Sequence, residues 1–387
     1  MTTFDADAVV VGGGLVGLAA AIVVARAGLT TIHVAPAAPP DRRSSALMMP
    51  SVDFLTSAGL VRAPAEIGHP LTQIRIIDAT NRIVRSPETL FDASEAGLAA
   101  FGWNFPNTKL AEAFAQVRSG LSNLTSHVAT LTGLDKTPAG MTLRLSDGEA
   151  LHTPLLIGAD GKKSFVRAAA GLKVRERTFA QAALVCDLNL ARPLGGASVE
   201  FHYPQGPFTL VPAGENRANL VWIDDEAVLK RAQALDRDAL AGLLAQKAQR
   251  LFGHVELITP SFVFPLSTLT VDEAGRDGIV LVGEAAHAFP PIGAQGLNLG
   301  LRDVADLAQA IGKSDRTHTD WGKEVSDDYA DRRRADLQRT GAMVDTLFRS
   351  LISELLPAQL LRAGGLWGLK TLPGLRRQAF ALGMGSR

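Results

Sequence analysis

A carboxylate at the end of an apolar run, with two prolines and regularly spaced glycines after it, marks the stretch of this chain best placed to do chemistry. Residues 278 to 303 read Gly-Ile-Val-Leu-Val-Gly-Glu-Ala-Ala-His-Ala-Phe-Pro-Pro-Ile-Gly-Ala-Gln-Gly-Leu-Asn-Leu-Gly-Leu-Arg-Asp. Ile279 to Val282 form a β-rich run that Gly283 breaks, so that Glu284 projects at the carboxyl end of a strand, where open α/β sheets bind their ligands. Pro290 and Pro291 stiffen the loop beyond it, while Gly293, Gly296 and Gly300 leave no side chain between backbone and a flat ligand. Leu297, Leu301, Val304, Ala308 and Ile311 recur at helical spacing. The amino end of that helix, with its free N–H groups and positive dipole, suits a ligand that develops negative charge, and a reduced flavin is one. Taken alone, the segment also reads as a Gly/Pro-rich turn between two core elements.

A second site of the same kind stands near the amino terminus. Gly12-Gly13-Gly14-Leu15-Val16-Gly17 comes after the apolar run Ala8 to Val11 and precedes a helix expected over Leu18 to Ala27. In this dinucleotide fingerprint Gly12 permits the tight turn, Gly14 lets the backbone approach a pyrophosphate, and Gly17 lets the helix pack closely on the sheet. The next strand, Thr30 to Ala35, ends in Ala35-Pro36 where an acid would hold a ribose. Arg43, in Asp41-Arg42-Arg43-Ser44-Ser45-Ala46-Leu47, is either a phosphate partner or a solvated loop charge. Asn107, after Trp103-Asn104-Phe105-Pro106, is a helix cap, a cofactor contact, or both. Gly158-Ala159-Asp160-Gly161 comes after a short buried strand, which makes Asp160 another carboxylate at a sheet edge.

The elements that must position these groups fall into two patterns. Strand–helix alternation frames residues 1–70, 98–172 and 275–340, as in a Rossmann-like α/β domain. Residues 71–97 and 173–274 read instead as a mixed sheet. Strands are expected at Gln73 to Asp78, Asn81 to Arg85, Ala183 to Leu190, Val199 to Tyr203, Phe208 to Val211, Asn219 to Ile223 and Ser261 to Leu266, with a helix from Glu226 to Phe252 inserted. Phe201, Tyr203, Phe208, Trp222, Phe262 and Phe264 give this sheet aromatic surface that either covers a ring-shaped substrate or fills the core. Further strands are expected at His127 to Leu131 and Met141 to Leu145, and a helix at Pro50 to Ala58.

With 387 residues, 47% hydrophobic, the chain can fill two cores, and its 39 basic and 39 acidic residues create no overall field to recruit nucleic acid. Cys186 is the single cysteine, so an internal disulfide is impossible, which fits a reducing cytoplasm. The uncharged run Ala8 to Ala25 is long enough to raise a membrane span, but Gly12, Gly13 and Gly14, which interrupt it, and the preceding acids, Asp5 and Asp7, argue against one. Residues 341–387 read as a helical segment. Past Glu354 it carries Arg362, Lys370, Arg376, Arg377 and Arg387 among leucines, Trp367 and Phe380, a basic amphipathic face for an anionic membrane or for packing on the protein.

In their order and setting, the three glycine-containing motifs resemble the single-component FAD aromatic hydroxylases of the para-hydroxybenzoate hydroxylase fold, and within them the ubiquinone-biosynthesis hydroxylases. That resemblance implies a monooxygenase that transfers one oxygen atom from dioxygen to an aromatic ring through a flavin hydroperoxide. It implies that Gly12, Gly14, Gly17 and Arg43 hold the FAD pyrophosphate region, that Asp160 and Gly161 serve FAD, and that Glu284, at a position usually Asp, binds the ribityl chain. Asn107, Gln295, Gly296 and Asn298 join that cofactor set, and Pro291, Gly293 and Ala294 border the flavin ring. Pro290 and Ala294 depart from the subfamily pattern of His and Gly, and Asn107 stands where several relatives carry a longer polar side chain. No metal site is assigned and no general base is named, His202 and His287 being candidates by type alone. A second GxGxxG is absent, so electrons are expected from transient NAD(P)H or a reductase partner. A lipid-like phenol is the expected substrate. A ubiquinone-biosynthesis complex and the inner face of the membrane are further expected partners. A halogenase, a prenyl-chain reductase and a non-catalytic member of such a complex are the alternatives.

Overall fold

The computed structural model describes residues 4–80, 87–137, 140–291 and 295–352, with backbone alone from 342. Its first sheet is built around Ala8–Val11, four residues with no polar side chain and all buried. The order across this sheet is Gly275–Arg276, Ile279–Leu281, Leu155–Gly158, Ala8–Val11, Thr31–Val34 and Leu124–His127, parallel except at the Gly275–Arg276 edge. Both faces of a parallel sheet are covered, which is why its central strands are apolar throughout. The helix Leu15–Arg26 packs on it with Ala19, Ala20, Ala21 and Ile22 wholly buried. It starts three residues earlier than Leu18, so Gly17 lies inside it. The long uncharged run is therefore strand, turn and helix, and among the described residues no helix is long and apolar enough to cross a membrane.

The larger sheet takes its strands from residues 73–92 and 174–271, with His287–Ala288 added at its edge. Val174–Leu190 is its longest strand, twice the length expected, because the Arg-Glu-Arg at its start carries no apolar alternation. It pairs with Arg217–Asp225 and Phe262–Val271. The single helix expected over Glu226 to Phe252 is two, Glu226–Gln233 and Arg237–Lys247; Asp236 caps the second by accepting from the Ala239 amide at 2.8 Å. Expected strand Asn81 to Arg85 lies outside the described residues, and Thr89–Asp92 pairs with Gln73–Asp78. The strand read at His127 to Leu131 is instead the end of Leu124–His127 and the start of Leu131–Thr137, which belong to different sheets.

Alternation along the large sheet separates its faces. Leu184, Cys186, Leu188, Phe201, Phe208 and Trp222 form one core with the two helices, and Phe208 lies edge-on to Phe201 at 5.9 Å. These aromatics are core, and so cannot cover a substrate. Tyr203 is tied down by donating to the Lys247 carbonyl at 2.6 Å. Phe262 and Phe264 are the exposed pair, stacked at 6.4 Å. The opposite face carries Asp187 and Asn219, whose side chains hydrogen-bond at 2.6 Å. There it meets the other part of the chain: buried Asn104, on the strand Gly102–Pro106, donates to Asn219 Oδ1 at 2.7 Å and to the Pro212 carbonyl at 2.9 Å. Gly102–Pro106 also pairs with Ser44–Met48, a strand that the charged-loop reading of residues 41–47 overlooks.

Candidate cofactor site

The three glycines of the first fingerprint do different work. A Cβ on Gly12, at φ +132°, would sit 2.1 Å from the Ala159 carbonyl oxygen, and one on Gly17 would sit 2.1 Å from the Gly12 oxygen. Both are required by backbone packing against backbone. Gly14 has nothing within 4 Å of where its Cβ would be, is exposed, and precedes a 12-residue helix that no side chain caps. An open approach to free helix N–H groups is what a pyrophosphate needs. This cradle fits a dinucleotide.

Glu284 lies in the short 3₁₀ turn Gly283–Ala285 and is exposed. Its turn is clamped on three sides by buried groups. The Gly283 amide donates to Asp303 Oδ2 at 2.7 Å, the same oxygen meets His287 Nε2 at 2.6 Å, and Arg167 donates to the Ala285 carbonyl at 2.9 Å. His287 is thus bound to a carboxylate in the core. Val16, on the first helix, occupies the space beside Gly300, where a Cβ would come within 2.6 Å of it. Gly300 therefore serves helix packing, a correction to its expected place beside a flat ligand, whereas Gly296 has open space within 4 Å.

Arg43 makes a two-pronged pair with Asp41, both contacts 2.9 Å. Hydrogen bonding to Asp41, then the charges of Asp41 and Glu284, raise its pKa, which places Arg43 and Glu284 in one electrostatic neighbourhood. Asn107 does not cap with its side chain: it donates to Asp41 Oδ2 at 2.8 Å and accepts from Ser45 at 2.7 Å. Pro106 takes the cap position, and the carboxylate of Asp41 outcompetes the helix amides for the Asn107 amide. Asn298 is buried, with Nδ2 donating to the Ala46 carbonyl and Oδ1 accepting from the Met48 amide, each at 2.9 Å. Its side chain thereby ties the helix Gln295–Lys313 to the strand Ser44–Met48. Asp160 accepts from the Ser164 hydroxyl and from the Val166 amide, bracing the short helix Phe165–Ala169, while Gly161 sits at φ +80° with open space beside it. Gln295 is buried at the start of its helix and Pro291 is exposed; Gly293 and Ala294 lie outside the described residues.

Residue types and spacing give no role to Asp303, Arg167 or Arg333, although Asp303 ends the stretch that begins at Gly278 and Arg167 follows closely on the Asp160-Gly161 turn. Their partners lie in other elements, and no local spacing announces them. His33 escapes a local reading as well. Its Nε2 lies 2.8 Å from the Gly12 oxygen, behind the fingerprint turn, and burial, opposed by that hydrogen bond, holds its pKa below 6.5. An unfolded chain binds the proton first, so this group stabilises the fold above pH 6.5 and ceases to as pH falls through its lowered folded value. Thermal midpoints between about pH 7.5 and 5 are expected to fall more steeply for the native chain than for His33→Gln, and parallel profiles would remove this role.

Fold and site together define an α/β protein with a dinucleotide fingerprint and a second, larger sheet. A family model described as FAD binding domain matches residues 5–342, and the chain belongs to that family; its cofactor is FAD. It is similar to the ubiquinone hydroxylase UbiL of Rhodospirillum rubrum, 30% identical across 98% of this chain and 90% of that one. It is likewise 30% identical to the 3-demethoxyubiquinol 3-hydroxylase of Escherichia coli, across 99% of this chain and 100% of that one. Among solved structures, p-nitrophenol 4-monooxygenase PnpA from Pseudomonas putida shares the fold at a TM-score of 0.82 and 18% identity, with 100% of both chains covered.

Proposed function

We propose that this protein is an FAD-dependent monooxygenase that hydroxylates the aromatic ring of a polyprenylated phenol in ubiquinone biosynthesis, with dioxygen as co-substrate. The observation that carries this reading is the end-to-end similarity to two ubiquinone hydroxylases, supported by an open Gly14 beside uncapped helix amides and an exposed Glu284 just past its strand. Bound FAD supplies the electron storage and the activation of dioxygen. Gly14 and the uncapped amides of Leu15–Arg26 hold the pyrophosphate, with Gly12 and Gly17 packed behind them. Glu284 would accept hydrogen bonds from the hydroxyls of the ribityl chain. Arg43 supplies positive charge nearby, and Gln295 and Gly296 border the ring from the helix start. No acidic residue stands in the first turn of Gln295–Lys313, so its dipole is left to stabilise negative charge. The sheet face bearing Asp187 and Asn219 closes the substrate side and limits water.

Residues 1–70, 98–172 and 275–340 make the cofactor domain in this reading, and 71–97 with 173–274 the substrate domain. Electrons come from NAD(P)H binding transiently or from a reductase partner. The basic residues beyond 354, which lie outside the described residues, are the proposed contact with a membrane or a biosynthetic complex. The test is aerobic turnover of the purified, FAD-loaded protein with prenylated phenols under ¹⁸O₂. Phenol-stimulated NAD(P)H oxidation with one labelled oxygen in the product is the expected result. Bound flavin with neither NAD(P)H nor reductase-supported hydroxylation would overturn the assignment.

A further inference from the structure

Behind the Glu284 turn runs a ladder of buried charges that the cofactor contacts do not account for. Asp303, Asp306 and Arg333 are almost wholly inaccessible, as is His287. Asp303 spends Oδ2 on the Gly283 amide and His287, and turns Oδ1 to Arg333 Nε at 2.7 Å. Arg333, on the long helix Trp321–Ile352, also meets Asp306 at 2.9 Å and Asp336 at 2.5 Å. Asp336 then accepts from Arg302 at 3.1 Å, and Arg302 reaches back to Gln295 Oε1 at 3.5 Å. Asp303, Asp306 and Arg302 lie on the helix Gln295–Lys313. The path therefore leaves the Glu284 turn onto that helix, crosses to the long helix at Arg333 and Asp336, and returns through Arg302 to the first residue, Gln295.

We propose that Arg333, Asp336 and Arg302 are positioning residues for FAD, fixing the helix Gln295–Lys313, and with it both the Glu284 turn and Gln295, against the long helix. The inference rests on the reading that Glu284 and Gln295 face FAD. Stability alone is a poor reason for such a ladder, because desolvating several charges costs much of what their attraction returns, and apolar packing of the same volume often serves as well. What apolar side chains cannot supply is attraction between particular atoms: here hydrogen bonds at Gly283, Asp306, Asp336 and Gln295, joined by a close ion contact between Asp303 and Arg333. Here both ends of the path terminate on groups assigned to the cofactor: a backbone amide beside Glu284 at one end, the Gln295 amide oxygen at the other. A side chain placed about 1 Å off position is enough to spoil a binding site, so bracing of this kind acts on affinity and ligand geometry.

The experiment uses the full chain, stripped of flavin and titrated with FAD, in native form and as Arg302→Gln, Asp336→Asn and Arg333→Lys. Arg302 and Asp336 are the outer members, with side chains 18% and 14% exposed; Asp336→Asn keeps an oxygen able to face Arg333 while removing the charge, and neither variant removes the carboxylate of Asp303 from Arg333. Three readouts are taken: FAD dissociation constant, thermal midpoint of the flavin-free protein, and visible circular dichroism of the bound flavin. Arg302→Gln and Asp336→Asn are expected to weaken FAD binding about tenfold and to change the dichroism, with the flavin-free midpoint moved by no more than about 2 °C. Arg302→Lys is expected to restore part of the affinity. Arg333→Lys is expected to weaken binding further, and if it does not fold the two outer variants decide the matter. Native affinity and dichroism in both outer variants would overturn the proposal, as would losses that merely track the midpoint. Failure of the native chain to bind FAD would overturn the FAD reading and this inference together, whereas native binding with unaffected variants would overturn the inference alone.

Discussion

An Asp303→Ala variant is expected to emerge from purification with little flavin and to unfold with about 3–5 kcal/mol less stability, the usual cost of removing one partner from a buried charge pair. The loss has three sources in the structure. Arg333 keeps its charge with no accessible surface and loses the carboxylate facing its Nε. The Gly283 amide loses its acceptor, and His287 loses the carboxylate at its Nε2, with Nδ1 already buried and unbonded among the described residues. Against a typical net stability of about 5–15 kcal/mol, such a change shows clearly in urea unfolding. Asp303→Asn keeps an acceptor while removing the charge, so it is expected to retain more flavin than the alanine variant. Equal flavin content in native and Asp303→Ala protein would show that the Glu284 turn holds its shape without this clamp. The carboxylate also has a pH signature. Burial pulls its pKa up, but the charges of His287 and Arg333 more than offset this and hold it below 3.8. Its contribution is therefore present above that pH and lost as pH falls through the lowered folded value, well beneath the window assigned to His33.

Gly12→Ala and Gly14→Ala are expected to part company sharply, although they change neighbouring glycines by the same methyl group. At Gly12 the methyl carbon would lie 2.1 Å from the Ala159 oxygen, and at φ +132° the backbone itself disfavours a side chain. Strain of this kind costs about 1–3 kcal/mol before the overlap is relieved. Relief requires the strands Ala8–Val11 and Leu155–Gly158 to move apart at the edge where the turn forms. Gly12→Ala is thus expected to lower the thermal midpoint of the flavin-free protein and to abolish FAD retention. Gly14 has φ −73° and ψ 172°, which alanine adopts freely, and no neighbour within 4 Å. Gly14→Ala is expected to leave the flavin-free midpoint unchanged and to weaken FAD binding at least tenfold, about 1.4 kcal/mol. Unchanged affinity would mean that the pyrophosphate does not approach over Gly14.

The contrast between these glycines shows how far residue types reach. Strand, tight turn and helix over residues 8 to 26 are legible because each arises from local chemistry: β-branched residues that suit a buried parallel strand, a glycine where backbone must pass backbone, and small residues at helical spacing. The fingerprint already separates Gly14, open to ligand, from Gly12 and Gly17, packed on protein; what it does not name is the group that blocks Gly12, Ala159, far along the chain in another strand–helix unit. Gly300 is the same lesson, its space being filled by Val16.

Side-chain alternation likewise discloses the strands of the large sheet but not which face lies against the helices. Phe201, Phe208 and Trp222 are core because Glu226–Gln233 and Arg237–Lys247 cover their face, and nothing within those strands encodes that choice. Asn107 has a strong local preference for capping, yet Asp41 draws it away once Ser44–Met48 pairs with Gly102–Pro106. The amino-acid order by itself determined the glycine turns, most of the strands and helices and a carboxylate at residue 284, because these depend on backbone sterics and periodicity within a few residues. Only the tertiary structure decided that Asp303 would meet His287, Gly283 and Arg333. Charges separated along the chain acquire partners only when packing removes the water between them.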